Sequence, residues 1–162
     1  MRFIVAFALA VLTSISAFAV NPVAAPPKLI VATPLMVETA FTTAQVEPKF
    51  RQFAAVHHIR ENVDFLIAAR NYFEETKAND RVAAAGYLYR MYIAIPQDRS
   101  RIPINISQQV RARIDLAIKT GTNSKSIFVD AYKEILGLVV QNLNLNFRVQ
   151  WDAFARSNRL DR

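Results

Sequence analysis

Apolar side chains recur every three or four residues from Leu35 onward, which is the spacing of amphipathic α-helices rather than of strands. Asp80 and Ser107 stand where helix N-caps are expected, and Pro96 and Gly121 where helices end. The pattern predicts helices over residues 47–56, 61–77, 80–95, 107–121, 126–138 and 143–156. No period of 20–50 residues recurs, which excludes a solenoid. The chain is therefore predicted to be an all-α, compact bundle of five long helices and one or two short ones.

The N-terminus has the three parts of a secretory signal peptide. Arg2 supplies a positive charge, residues 3–18 are uncharged and apolar, and Ala17 and Ala19 form a small-x-small cleavage site. We predict a signal peptide over residues 1–19, whose cleavage leaves 143 residues and exports the protein. The alternative is an uncleaved anchor formed by residues 3–19, which is short for a membrane span.

Residues 20–35 are rich in proline and alanine, with four prolines. Proline lacks a backbone donor and favours extended structure before it, so we expect a linker here. The folded domain is then predicted over residues 36–157, followed by a short tail over residues 158–162.

Composition narrows the chemistry available to the chain. A length of 162 residues suits one domain, and the absence of cysteine excludes disulfides, thiolate nucleophiles and cysteine-based zinc sites. Three glycines in all argue against glycine-rich phosphate loops. The net charge of +7 permits an acidic partner without naming one, and it becomes +6 if Arg2 is removed with the signal peptide.

No catalytic or metal-binding pattern emerges from the remaining polar residues. His57 and His58 are adjacent and so point to different sides of a helix, whereas a metal pair needs a spacing of three or four. The acidic pair Glu74 and Glu75 lies among basic residues, as on a solvated helix surface. Basic residues are scattered rather than gathered on one face, which disfavours nucleic-acid binding. We expect the protein not to be an enzyme and to bind no cofactor, metal or small-molecule substrate. Contact with a membrane is expected only if the signal segment is uncleaved.

Four stretches of sequence share a pattern with a known family. The first joins residues 50–53, Phe-Arg-Gln-Phe, to 60–65, Arg-Glu-Asn-Val-Asp-Phe. The others are residues 85–93, Ala-Gly-Tyr-Leu-Tyr-Arg-Met-Tyr-Ile, 103–107, Pro-Ile-Asn-Ile-Ser, and 127–138, Ile-Phe-Val-Asp-Ala-Tyr-Lys-Glu-Ile-Leu-Gly-Leu. In this order and spacing they resemble the helical domain of regulators of G-protein signalling (RGS domains).

The resemblance covers about residues 36–156 and implies a function. RGS domains bind the switch regions of heterotrimeric G-protein α subunits and hasten GTP hydrolysis without donating a catalytic arginine. They hold the switches in the transition-state arrangement, which is catalysis by preorganisation. By this resemblance the α-subunit contacts are expected at Glu61, Asn62, Asn105, Leu138, Asn142 and Asn146.

This chain departs from the family pattern at four positions. Asn142 stands where the family usually has Asp, and Asn146 where it has a basic residue. Because hydrogen bonds to charged groups are stronger than neutral ones, the first change is expected to weaken binding about fivefold. Tyr132 replaces a usual Gln, and Leu66 replaces a tryptophan at a position expected in the core.

Simpler interpretations of the same residues stay open. Asn62 is alternatively a residue of a helix start, Asn105 a turn or cap residue, and Leu138 a core residue. Two functions follow: an α-subunit-binding regulator with GTPase-activating capacity, or an exported helical-bundle interaction protein that keeps the RGS fold without that activity. The predicted export segment favours the second, because α subunits act in the cytosol.

Overall fold

The computed structural model describes residues 28–95, 103–122 and 124–161 of the chain. Its described residues form seven α-helices, a π-helical turn at Tyr89–Ile93 and a 3-10 turn at Lys125–Phe128. The helices are α1 Pro34–Thr42, α2 Glu47–Val56, α3 Arg60–Glu74, α4 Ala78–Leu88, α5 Gln108–Lys119, α6 Val129–Leu145 and α7 Arg148–Ser157. The predicted all-α helical bundle is confirmed. The predicted signal peptide and the first half of the predicted linker, residues 20–27, lie outside the described residues.

Several helix ends follow directly from local sequence. The Ser107 side chain accepts a hydrogen bond from the backbone N–H of Val110 at 3.3 Å, which caps α5 as predicted. Gly121 follows this helix with φ of 66°, a left-handed conformation that glycine adopts without steric cost. At the start of α1, the Thr33 hydroxyl accepts from the backbone N–H of Met36 at 3.2 Å, and Pro34 occupies the first helical position. In the described ranges, every helix is too short or too polar to span a lipid bilayer.

Several predicted helix boundaries were wrong, and α1, which begins at Pro34 inside the predicted linker, was not predicted as a helix. Asp80 does not cap α4, since this helix begins at Ala78 and Asp80 lies in its first turn. α3 ends at Glu74 rather than at residue 77. The last helix begins at Arg148 rather than at residue 143, because α6 continues to Leu145 and buries Leu143 completely.

The core lies around α3 and α6, which pack against each other. Large side chains of both helices are fully buried, and the Tyr72 ring of α3 meets the Phe128 ring edge-on at 5.2 Å. Leu66 is fully buried, as predicted for its position. Trp151 fills the core between α7 and α2, with its ring 6.2 Å from that of Phe50.

The residues before α1 form an N-terminal strap, residues 28–33, that crosses α7 and then α6. The backbone N–H of Ile30 donates to an Asp152 carboxylate oxygen at 2.7 Å. The Asn144 amide then accepts from the Ala32 N–H at 2.7 Å and donates to the Ala32 carbonyl at 3.0 Å. The Asn144 amide thus satisfies both the backbone donor and the backbone acceptor of Ala32. These hydrogen bonds hold the last residues of the predicted linker on the bundle.

The strap makes stability depend on pH through Asp152. Hydrogen bonds from the Arg156 side chain and the Ile30 N–H lower the pKa of the Asp152 carboxyl below its usual value of about 3.8. A carboxyl whose pKa is lower in the folded than in the unfolded protein stabilises the folded state at pH values above the unfolded-state pKa. This stabilisation is lost as the pH falls through the folded-state pKa. Urea unfolding at pH 7 and at about pH 3 should show Asp152→Asn destabilising the protein at pH 7 and much less in acid. The same free-energy difference at both pH values would contradict this account.

Candidate functional site

The turn between α2 and α3 places the first two predicted contact residues. His58 adopts a positive φ of 55°, which reverses the chain, and the following Ile59 is buried. α3 then starts at Arg60, so that Glu61 and Asn62 lie in its first turn, Glu61 exposed and Asn62 half-buried. The residue at the cap position is Ile59, and no side chain caps this helix end. Asn62 therefore lies in the first turn of the helix without serving as its cap.

An ion-pair cluster fixes the start of α3 against α2. The Arg51 guanidinium binds both the Asp64 carboxylate and, at 2.8 Å, the Glu47 carboxylate. Arg60 also reaches Asp64, at 3.3 Å. Since these side chains are partly exposed, their contribution to stability is modest, but they orient the first turn of α3.

The third predicted contact residue, Asn105, lies in an extended segment, residues 103–107. The side chains of Ile104 and Ile106 are buried, so the alternation of an extended chain turns Asn105 outward. The Ile104 N–H donates to the Tyr92 carbonyl at 2.9 Å, which ties the segment to the π-helical turn. The guanidinium of Arg111 donates to the Ile104 carbonyl at 3.0 Å and to the Ile93 carbonyl.

A second clamp attaches the same segment to α6. The Glu134 carboxylate accepts from the backbone N–H of Ser107 at 2.7 Å and from its hydroxyl at 2.8 Å. Hydrogen bonds to an ionised acceptor are about twice as strong as neutral ones. Asn105 thus stands between two fixed residues, Ile104 held by α5 and Ser107 held by α6.

Two adjacent clefts meet at Asn105. The first has a volume of about 520 Å³ and lies between α2, α3 and the extended segment. The second has a volume of about 420 Å³ and lies between the extended segment and α6. Glu61 and Asn62 line the first cleft, Leu138 lines the second, and Asn105 lines both. The structure therefore brings together four of the six predicted contact residues, which we call the contact face.

Of the other two predicted residues, Asn142 lies farther along α6 and Asn146 is the C-cap residue that follows this helix. Asn142 and Asn146 follow Leu138 at steps of four, so the three residues share one side of the helix. The Asn146 amide donates to the Asn142 side-chain oxygen at 2.8 Å. This bond occupies part of the accepting capacity of Asn142, and neither residue lines the two clefts.

The Tyr92 hydroxyl, close to the segment that carries Asn105, is uncharged at neutral pH. Burial, with the neighbouring Tyr87 and Asp64, raises the pKa of the Tyr92 hydroxyl to about 12. In the part of the chain that the structure describes, no three His, Asp or Glu side chains come together as a metal site requires. The contact face offers two amide groups, one carboxylate and one apolar side chain.

The residues that hold the contact face were not singled out by the sequence. Arg111 and Glu134 lie in predicted helices, and although Glu134 falls within residues 127–138, neither residue is one that the family pattern specifies. Their contacts join residues that are 7, 18 and 27 positions apart, and helical periodicity carries no information on such pairs. One signal in the sequence indicated that residues 103–107 are extended. Ile104 and Ile106 alternate with Asn105 just before Ser107, the N-cap of α5.

The family model described as "Regulator of G protein signaling domain" matches residues 40–147. The match covers two thirds of the chain, from α1 to the residue before α7, and includes all six predicted contact residues. No curated protein matches the chain.

The Glu134 clamp is testable without any partner. Replacing Glu134 with Ala removes both bonds to Ser107, and each bond to a charged acceptor is worth about 1.5–3 kcal/mol. We expect the protection of the Ser107 amide against hydrogen exchange to fall by about tenfold to a hundredfold. Glu134→Gln is the control, because it keeps a side-chain oxygen and should lose less protection. Unchanged protection in Glu134→Ala would contradict the clamp.

Proposed function

Because the chain belongs to the regulator of G-protein signalling family, we propose that its contact face binds the α subunit of a heterotrimeric G protein. The match over residues 40–147 supports a regulatory, protein-binding role. The observation that carries the finer proposal is the position of Asn105, which lines both clefts and so joins Asn62 on α3 to Leu138 on α6. The proposal is supported by three segments, far apart in sequence, that line these two adjacent clefts.

The proposed role is to position the α subunit's own catalytic groups. An amide carries both donors and an acceptor, so Asn62 can orient the glutamine that positions the attacking water. Asn105 contacts a second switch segment, and Leu138 supplies an apolar contact beside it. GTP is hydrolysed by the α subunit, and the RGS domain lowers the barrier by holding the switches in place.

Rigidity of the contact face supports this role. Binding costs free energy whenever a loop has to be ordered. Here Arg111 and Glu134 already fix both ends of the segment that carries Asn105. The face therefore meets its partner in a preformed shape, and little of the interaction energy is spent on ordering the segment.

A second function is favoured by two observations. Asn142 and Asn146 hydrogen-bond to each other and lack the charges that the family uses at their positions. Residues 1–19 have the pattern of an export signal, which removes a protein from the cytosol. The alternative is an exported interaction protein that keeps the RGS fold and binds another partner.

The primary proposal is tested by affinity for an α subunit carrying GDP and aluminium fluoride, which mimics the transferring phosphate. Asn62→Ala should weaken binding about tenfold, the effect of losing roughly 1.4 kcal/mol at a contact. Asn71→Ala is the matched control, since it makes the same change at an exposed position near the other end of α3. Equal affinity for the two variants, or no binding by the unchanged protein at high micromolar concentration, would refute the proposal.

The departure at Asn142 gives a gain-of-affinity prediction. Asn142→Asp restores the carboxylate typical of the family and should strengthen binding to the same complex about fivefold. Asn146→Asp adds the same charge one turn later, where the family has a basic residue, and should not strengthen binding. If both variants bind more tightly, general charge attraction explains the gain and the specific role of residue 142 is wrong.

A further inference from the structure

The extended segment at the contact face contains a second pattern. Residues 105–107 read Asn-Ile-Ser, an Asn-x-Ser sequence whose middle residue is not proline. This is the acceptor sequence for N-linked glycosylation in exported proteins. It occurs once among the 162 residues, although the chain contains several other asparagines. The one acceptor sequence therefore coincides with the residue at which the two clefts meet.

The fold leaves this asparagine accessible. Ile104 and Ile106 are buried on either side, whereas Asn105 is exposed. Its side chain borders two open clefts, so a group attached to the amide nitrogen extends into solvent and displaces no core residue. An oligosaccharide on Asn105 is thus compatible with the folded bundle.

We propose that Asn105 is an N-glycosylation site of this protein. The donor is an oligosaccharide linked through pyrophosphate to a polyprenyl lipid, on the lumenal side of the secretory membrane. The Asn105 amide nitrogen attacks the first carbon of the oligosaccharide, the bond from that carbon to the phosphate oxygen breaks, and the amide loses one proton. The products are the N-glycosidic bond and the lipid pyrophosphate. This proposal rests on the predicted export of the chain and is independent of α-subunit binding.

The contacts of Ser107 determine when the transfer takes place. In the folded protein the Ser107 hydroxyl donates to Glu134 at 2.8 Å and accepts from the Val110 N–H at 3.3 Å. A transferase that has to engage this hydroxyl can reach it only before those bonds form. The oligosaccharide is therefore added to the entering chain before residues 103–107 dock between α5 and α6.

The modification would separate the two functions. An oligosaccharide on Asn105 occupies the junction of the clefts lined by Asn62 and Leu138. It covers the surface that an α subunit would contact. A glycosylated chain is consequently restricted to the exported role, and only a chain that stays in the cytosol presents the contact face.

The experiment is translation of the full chain in the presence of secretory microsomes, followed by protease protection and gel mobility. We expect a protected product that carries one oligosaccharide, and enzymatic removal of N-linked sugar should abolish the mobility shift. Asn105→Gln should abolish the shift, whereas Ser107→Thr, which keeps both the acceptor sequence and the N-cap, should retain it. Ser107→Asn keeps a capping oxygen but breaks the acceptor sequence, so it should also lose the shift.

Each other result overturns the proposal. A protected product without the shift shows that the chain is exported and Asn105 is not used. A product that stays unprotected and unshifted shows that the chain does not reach the transferase. A shift that persists in Asn105→Gln places the sugar elsewhere. None of these results bears on affinity for an α subunit, so the two proposals fail separately.

Discussion

The packing of α3 against α6 is the constraint on which the rest of the structure depends. The sequence contains no cysteine, so the fold is stabilised by buried apolar surface rather than by disulfides. Phe65 and Leu66 of α3 and Ile135 and Val139 of α6 are buried, the two helices contact each other, and both continue to the contact face. The same packing that excludes water also sets the distance between the start of α3 and the middle of α6.

The extended segment completes the contact face because it is held from both sides. Arg111 satisfies the Ile104 carbonyl from α5, and Glu134 satisfies the Ser107 N–H from α6. These groups sit at the boundary between the core and the surface, where charge-assisted hydrogen bonds are strong without a large desolvation cost. A short segment with two buried isoleucines therefore gives Asn105 a fixed position between the helices.

Six of the seven α-helices in the described residues were predictable from sequence, whereas α1 was not. Helix ends were predictable where local chemistry marks them. Ser107 and Gly121 mark both ends of α5. The boundary between α6 and α7 carries no glycine or proline. The sequence therefore did not show that Leu143 is a buried residue of α6 rather than the start of the next helix. The predicted contact residues came from the resemblance to the RGS family. The clamps by Arg111 and Glu134 and the strap bond to Asn144 join distant residues and left no local signal.

In the function that we propose, the contact face stabilises the hydrolysing state of an α subunit. The most direct measurement is the single-turnover rate of GTP hydrolysis by an α subunit, with and without this protein. We expect the rate to rise with the unchanged protein and to rise less with Arg111→Met, which keeps the aliphatic bulk but frees the Ile104 carbonyl. A hydrolysis rate that is the same at every concentration of a folded protein would contradict the claim.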